Sequence, residues 1–201
     1  QSIVSIGMLL VQSVVNGFGS AALAGYSAAS RIESICIVPM IATGNAVATF
    51  TAQNIGAGQR DRVKKGYRAS YFLIFGFGAV IAVIIGLFKG PIISSFLQGD
   101  TASTASWVGY GYLSFIGWFI ALIGLKACTD AVLRGSGDVL VFTTANLVNL
   151  AIRVFAAFQF APVWGVAAVW YAVPMGWAAN YLISFGRYLS GRWMEQKVIE
   201  K

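Results

Sequence analysis

The chain has 201 residues, 58% of them hydrophobic and 10% charged, and its mean hydropathy is +0.74. A soluble domain is about a quarter charged, so this composition argues against a soluble fold and for an integral membrane protein. The net charge of +7 comes from 14 Lys and Arg against 7 Asp and Glu, and histidine is absent, which excludes Ser-His-Asp and Cys-His catalysis and any His-ligated metal or haem within the chain.

Six apolar segments long enough to cross a bilayer follow in order, and all are read as helices: about Ile3–Phe18, Ile32–Thr51, Tyr71–Phe88, Trp107–Leu125 (with an extension to Leu133), Val139–Phe160 and Val166–Tyr188. The expected fold class is therefore all-α, a polytopic bundle of six transmembrane helices. Gln1 rather than Met opens the chain, and the expectation is a start inside a longer protein.

Polar residues punctuate the first two spans at helical spacing. Gln12 and Asn16 lie four apart in the first, with Ser5 seven before Gln12; Asn45, Thr49 and Gln53 step by four along the second. These rows either line a cavity or bond one helix to another. The second span carries Pro39 and the last Pro174, each removing a backbone donor, whereas Pro91 and Pro162 are placed in connections. Glu33 falls at the edge of the second span beside Arg31. Cys36 and Cys128 sit in apolar surroundings and read as small buried hydrophobes.

After the second span the chain reads QNIGAGQRDRVKKGYR. Neither a P-loop nor G-x-G-x-x-G is present, and apolar spans on both sides argue against nucleic-acid binding. A helix ending, a glycine turn and cations held at an anionic leaflet account for it. Arg60, Arg62, Lys64, Lys65, Arg68, Arg134, Arg187, Arg192, Lys197 and Lys201 all fall on one side of the six spans, against Arg31 and Lys89 on the other. The positive-inside rule places the first group, and both chain ends, in the cytoplasm. Trp107, Trp164 and Trp193 fall near span boundaries, as an interfacial belt requires.

The later spans hold the remaining candidates. Lys126 and Asp130 lie four apart near the end of the fourth span, spaced for an ion pair on one helix or for an ion-coupling site. Thr143, Asn146, Asn149 and Arg153 share one face of the fifth. Arg153 lies about 21 Å from that span's start, too deep to reach either surface, so it is paired within the bundle or faces a hydrated cavity. Trp170 and Trp177, seven apart in the sixth, either pack in the core or lipid, or stack on flat cationic ligands.

AQNIGAGQRDRVKKG at 52–66 resembles the signature that ends the eighth helix of multidrug and toxic compound extrusion (MATE) transporters. VLRGSGD at 132–138 resembles their second signature, and GYSAASRIE at 25–33 fits before a Pro-containing span. Gln53, Asn54, Gly56, Gly58, Arg134, Gly135, Gly137 and Asp138 carry the two signatures. The resemblance implies that residues 1–201 are a C-terminal lobe, helices seven to twelve, ending in a cytoplasmic tail at 189–201. It further implies an N-terminal six-helix lobe as partner, a cavity between the lobes, and export of organic cations coupled to sodium or proton entry, with no other cofactor, in a bacterial inner membrane. Gln12, Asn16, Asn45, Asn146, Asn149, Arg153, Trp170 and Trp177 are the cavity candidates, and Asp130, Lys126 and Glu33 the coupling candidates.

The chain departs from the sodium-linked branch, which has one carboxylate in the seventh helix and another well inside the tenth: its first span holds no acid, and Asp130 lies only four residues before Arg134. Coupling then uses the other lobe or a different arrangement. The alternative function is a flippase for lipid-linked oligosaccharide or peptidoglycan precursors, which calls for a cavity richer in Arg and Lys. An intramembrane enzyme built on Ser136 lacks a histidine base, and a non-transporting scaffold leaves the polar rows unexplained.

Overall fold

The computed structural model describes residues 2–96 and 102–195, except for the side chains of residues 2–6, 8, 96, 102 and 103. Ser5, Lys197 and Lys201, and the tail beyond residue 195, therefore lie outside the described side chains. Seven helices make up the fold: α1 Ser2–Asn16, α2 Ser20–Gly56, α3 Arg60–Phe96, α4 Ala102–Gly117, α5 Ile120–Gly135, α6 Val139–Trp164 and α7 Ala167–Leu189, followed by a 3₁₀ turn at Arg192–Glu195. Among the described residues there is no strand. A helix satisfies its own backbone, which is the condition for crossing lipid.

The helix bounds differ from the six expected spans in instructive ways. α2 and α3 each run for 37 residues, so Arg31, Lys89 and Pro91 lie within helices rather than in connections. The basic residues Arg60 to Arg68 likewise form the first turns of α3, with Lys64 Nζ 3.2 Å from Asp61. Lys and Arg are good helix formers, and the helix extends past the apolar segment at both ends. Pro162 sits in the last turn of α6. Pro39 leaves α2 unbroken, and the Thr43 hydroxyl donates to the Pro39 carbonyl at 2.8 Å.

The fourth span is broken. α4 and α5 meet at 54° across Trp118 and Phe119, where the backbone closes i→i+3 bonds from Trp118 N to Phe115 O and from Phe119 N to Ile116 O. Tightening of this kind follows from glycine at position 117 ending the α-helical ladder. Ser20–Gly56, Arg60–Ser95 and Val139–Trp164 are each long and apolar enough to cross a membrane, and so is the bent pair taken as one span. α1 is described over 15 residues only. α7 has the length, but Trp170, Tyr171, Trp177, Asn180 and Tyr181 lower its hydropathy. Its inward face buries Trp170, Val173, Trp177, Asn180 and Ser184, so α7 is a central helix of the bundle.

α3 shows the opposite character. Phe72, Leu73, Phe75, Val80, Val83, Leu87 and Phe88 are all exposed on it, an apolar face suited to lipid chains. One end of the bundle gathers the turns at 57–59 and 136–138 and the 3₁₀ turn. Gly58 and Gly137 have φ of +71° and +85°, a region that costs a residue with a Cβ and suits glycine at a helix end. The second of these turns is held to α7 by Arg187, whose Nε donates to Asp138 Oδ2 at 2.6 Å. Trp193 packs in parallel on Tyr188 and donates to its carbonyl at 3.0 Å.

Candidate functional site

A polar cavity of about 420 Å³ opens between α1, α2, α5, α6 and α7. Its wall takes Gln12 from α1, Tyr26, Ser30, Arg31 and Glu33 from α2, Lys126 from α5, Asn146, Asn149 and Arg153 from α6, and Trp177 from α7. The 3- and 4-residue spacing along α6 turns its three polar side chains to one side. The same periodicity on α2 brings Tyr26, Ser30 and Glu33 to the wall, while Ile37 and Ile41 continue it.

Glu33 is half-buried and accepts a hydrogen bond on Oε2 from the Tyr112 hydroxyl at 2.6 Å. Tyr112 is buried in α4 and set edge-on to Tyr26, with ring centroids 5.3 Å apart. Arg153 enters from the middle of α6. Its Nε is buried without an acceptor, and it forms no ion pair among the described residues. Asn149, one turn away and 8% exposed, has an unpartnered Oδ1 facing α7 at Gly176. A Cβ at 176 would run into Asn149 Oδ1 and Arg153 Cγ, so glycine there lets α6 approach α7 closely enough to set both polar side chains.

Asp130 is placed differently. It is 5% exposed and does not line the cavity. Its Oδ1 accepts from Ser184 at 2.6 Å, and its Oδ2 accepts from Lys126 at 3.0 Å and Asn146 at 3.3 Å. Lys126 also donates to Asn146 Oδ1 at 3.0 Å. This network joins α5, α6 and α7 and takes three of the carboxylate's roughly four lone-pair sites, which leaves little room for an incoming cation. The arrangement is a buried clasp, and Glu33 is the carboxylate that the cavity can reach.

The other sequence candidates are dispersed. Trp177 reaches the cavity, but Trp170 is buried away from it, 6.0 Å from Trp107 between ring centroids. Asn16 is exposed at the end of α1. Asn45 is exposed on α2 and accepts from Arg134 Nη2 at 2.9 Å, which braces the second signature against the second span. Gln53 is exposed, whereas Asn54 is buried and donates to the Phe50 carbonyl at 2.7 Å. Gly135 faces the backbone carbonyl of Ala48, a contact that leaves no room for a side chain, and Gly56 meets open space. Tyr26, Ser30, Arg31, Tyr112 and Ser184 were not singled out as site residues by the sequence. Tyr26, Ser30, Glu33 and Ile37 carried a readable signal in their spacing, but Tyr112 and Ser184 carried none. Among the described residues no three acidic or thiol side chains converge as a metal site would need.

A helical membrane bundle with one lipid-facing apolar wall and a polar, charged cavity on another side defines the class: a polytopic membrane protein of the transporter type. The chain belongs to the MatE family, whose family model matches residues 1–158; members of this family are transporters rather than enzymes. It is 30% identical over 92% of its length to the probable multidrug resistance protein YoeA of Bacillus subtilis, covering 40% of that protein. It is 28% identical over 98% of its length to the probable multidrug resistance protein YpnP of the same organism, covering 44%. A multidrug resistance MATE family transporter of the MOP superfamily, solved in an outward-facing conformation, superposes with a TM-score of 0.85 at 20% identity, over 96% of this chain and 44% of that one. The chain thus spans less than half the length of these relatives.

Proposed function

We propose that this chain is the C-terminal half of a cation-coupled exporter of organic cations and drugs, working by alternating access in a bacterial cytoplasmic membrane with its basic turns on the inner side. The single observation that carries the reading is Glu33, a carboxylate on the wall of a polar cavity inside a bundle whose outer face is apolar. A carboxylate in such surroundings attracts a cation, and a proton or a sodium ion competes with a cationic substrate for it. Competition of that kind makes the entry of one and the exit of the other obligatory, once rocking of one lobe against another exposes the cavity to each side in turn.

Two further observations support the second lobe. The matched relatives are more than twice the length of this chain. α2 also leaves Asn45, Thr49 and Gln53 exposed, a polar row that lipid would not solvate and that another lobe would cover. The flippase reading is not favoured, because the matched relatives are named for multidrug resistance and Asp130 occupies the charge of Lys126.

The test is accumulation of a cationic dye such as ethidium in cells stripped of their own efflux pumps and expressing the full-length gene. Accumulation should fall with the wild type and return with Glu33→Gln. Unchanged accumulation across a broad panel of organic cations would remove the reading.

A further inference from the structure

We infer that Arg153 is an anchor for a carboxylate on the transported molecule, so that the cavity recognises dipolar molecules carrying an anionic group beside their cationic one. This rests on the exporter reading above and adds the charge pattern of its substrate. The cavity wall holds three cations, Arg31, Lys126 and Arg153, against one carboxylate, Glu33. Lys126 is neutralised by Asp130 at 3.0 Å, and Arg31 is exposed. Arg153 is the cation left facing the cavity without an ion pair among the described residues, its nearest opposite charge on the wall being Glu33.

A guanidinium carries five donors and stays charged. Within a span, donors without an acceptor are costly, and Nε of Arg153 is buried without one. Arg153 stands 14 residues into a 26-residue helix, so neither membrane surface is within its reach. The fork geometry matches a carboxylate through two parallel hydrogen bonds. Asn149 lies one turn away on the same cavity wall, its Oδ1 buried against α7 without a partner. Glu33 is already bonded to Tyr112 and lies beyond ion-pair distance of Arg153. The two opposite charges therefore stand separately on one wall, and a cavity of about 420 Å³ has the size of a drug-like ligand site. The amine of a substrate competes with the coupling cation at Glu33, while its carboxylate at Arg153 adds affinity without entering that competition.

The test compares a zwitterionic rhodamine that carries a free carboxylate with its methyl ester, which keeps the ring cation and loses the carboxylate. Binding is read by fluorescence anisotropy on the purified full-length transporter, and export in everted vesicles. Arg153→Gln should weaken binding of the acid about tenfold, the loss of a charged, paired hydrogen bond, and leave the ester within about twofold. Arg153→Lys, which keeps the charge, should fall between wild type and Arg153→Gln for the acid and match wild type for the ester. Cooperative thermal unfolding in detergent reports that each variant is folded; if Arg153→Gln is not, the Lys variant carries the comparison. Equal loss of acid and ester, or no loss of the acid in either variant, overturns the anchor. A wild type that exports the ester and not the acid overturns the anchor alone, and one that exports neither overturns the exporter reading with it.

Discussion

Tyr112 and Glu33, 79 positions apart in the chain, meet with the phenol donating to the carboxylate at 2.6 Å. One belongs to a helix that ends at the break in the fourth span, the other to the side of α2 that lines the cavity. The contact ties the cavity's carboxylate to the wall of the bundle and leaves its second oxygen for a ligand.

Glu33→Gln keeps the size of the side chain and removes its charge. Binding of a cationic dye to the wild type should weaken as pH falls, because protons occupy the carboxylate the dye needs. The variant should bind about tenfold more weakly at neutral pH and show a flat pH and sodium profile. Titrating both proteins with dye across a pH series checks this; parallel profiles would remove Glu33 as the coupling acid.

Tyr112→Phe deletes the donor and retains the ring against Tyr26. It should lower stability by about 1.5–3 kcal/mol, the range for a hydrogen bond to a charged group. Thermal unfolding in detergent reads the loss, and an unaltered midpoint would show that the bond does not form in the folded protein.

Asp130→Asn should act on the fold before it acts on transport. It leaves Lys126 buried without a counter-charge, a change worth about 3–5 kcal/mol, and weakens the bonds from Ser184 and Asn146. The double variant Lys126→Met, Asp130→Leu should recover most of that loss, since both charges leave together. A stable Asp130→Asn protein with normal binding and no ion dependence would return Asp130 to the coupling role.

Two glycines two residues apart, one ending α2 and one in the turn that follows, should respond in opposite directions. Gly58→Val forces a β-branched residue to φ +71° and should cost about 1–3 kcal/mol. Gly56→Ala sits at the end of α2 with open space around the new carbon and should gain about 0.4–1 kcal/mol. The pair of unfolding midpoints checks both.

Much of the site was legible where periodicity carried it. Asn146, Asn149 and Arg153 at steps of three and four could face only one side of a helix, and that side is the cavity. The i,i+4 spacing of Lys126 and Asp130 correctly placed them within reach of each other, but could not say that Ser184, 54 positions further on, would complete the shell of Asp130. Trp170 and Trp177 show the limit of the same rule: seven residues return a side chain to nearly the same face but carry it about 10.5 Å along the axis, so one reaches the cavity and the other packs on Trp107 at another level of the bundle.

By itself the sequence determined the medium and the secondary structure: too few charges to coat a soluble surface, and apolar runs that lipid permits only as helices. It also determined the glycine turns, which are local properties of the chain. Only the tertiary structure decided which carboxylate is spent on the bundle and which faces the cavity. That choice depends on partners such as Tyr112 and Ser184, brought together from distant helices by packing, and no spacing along the chain records a contact made across it.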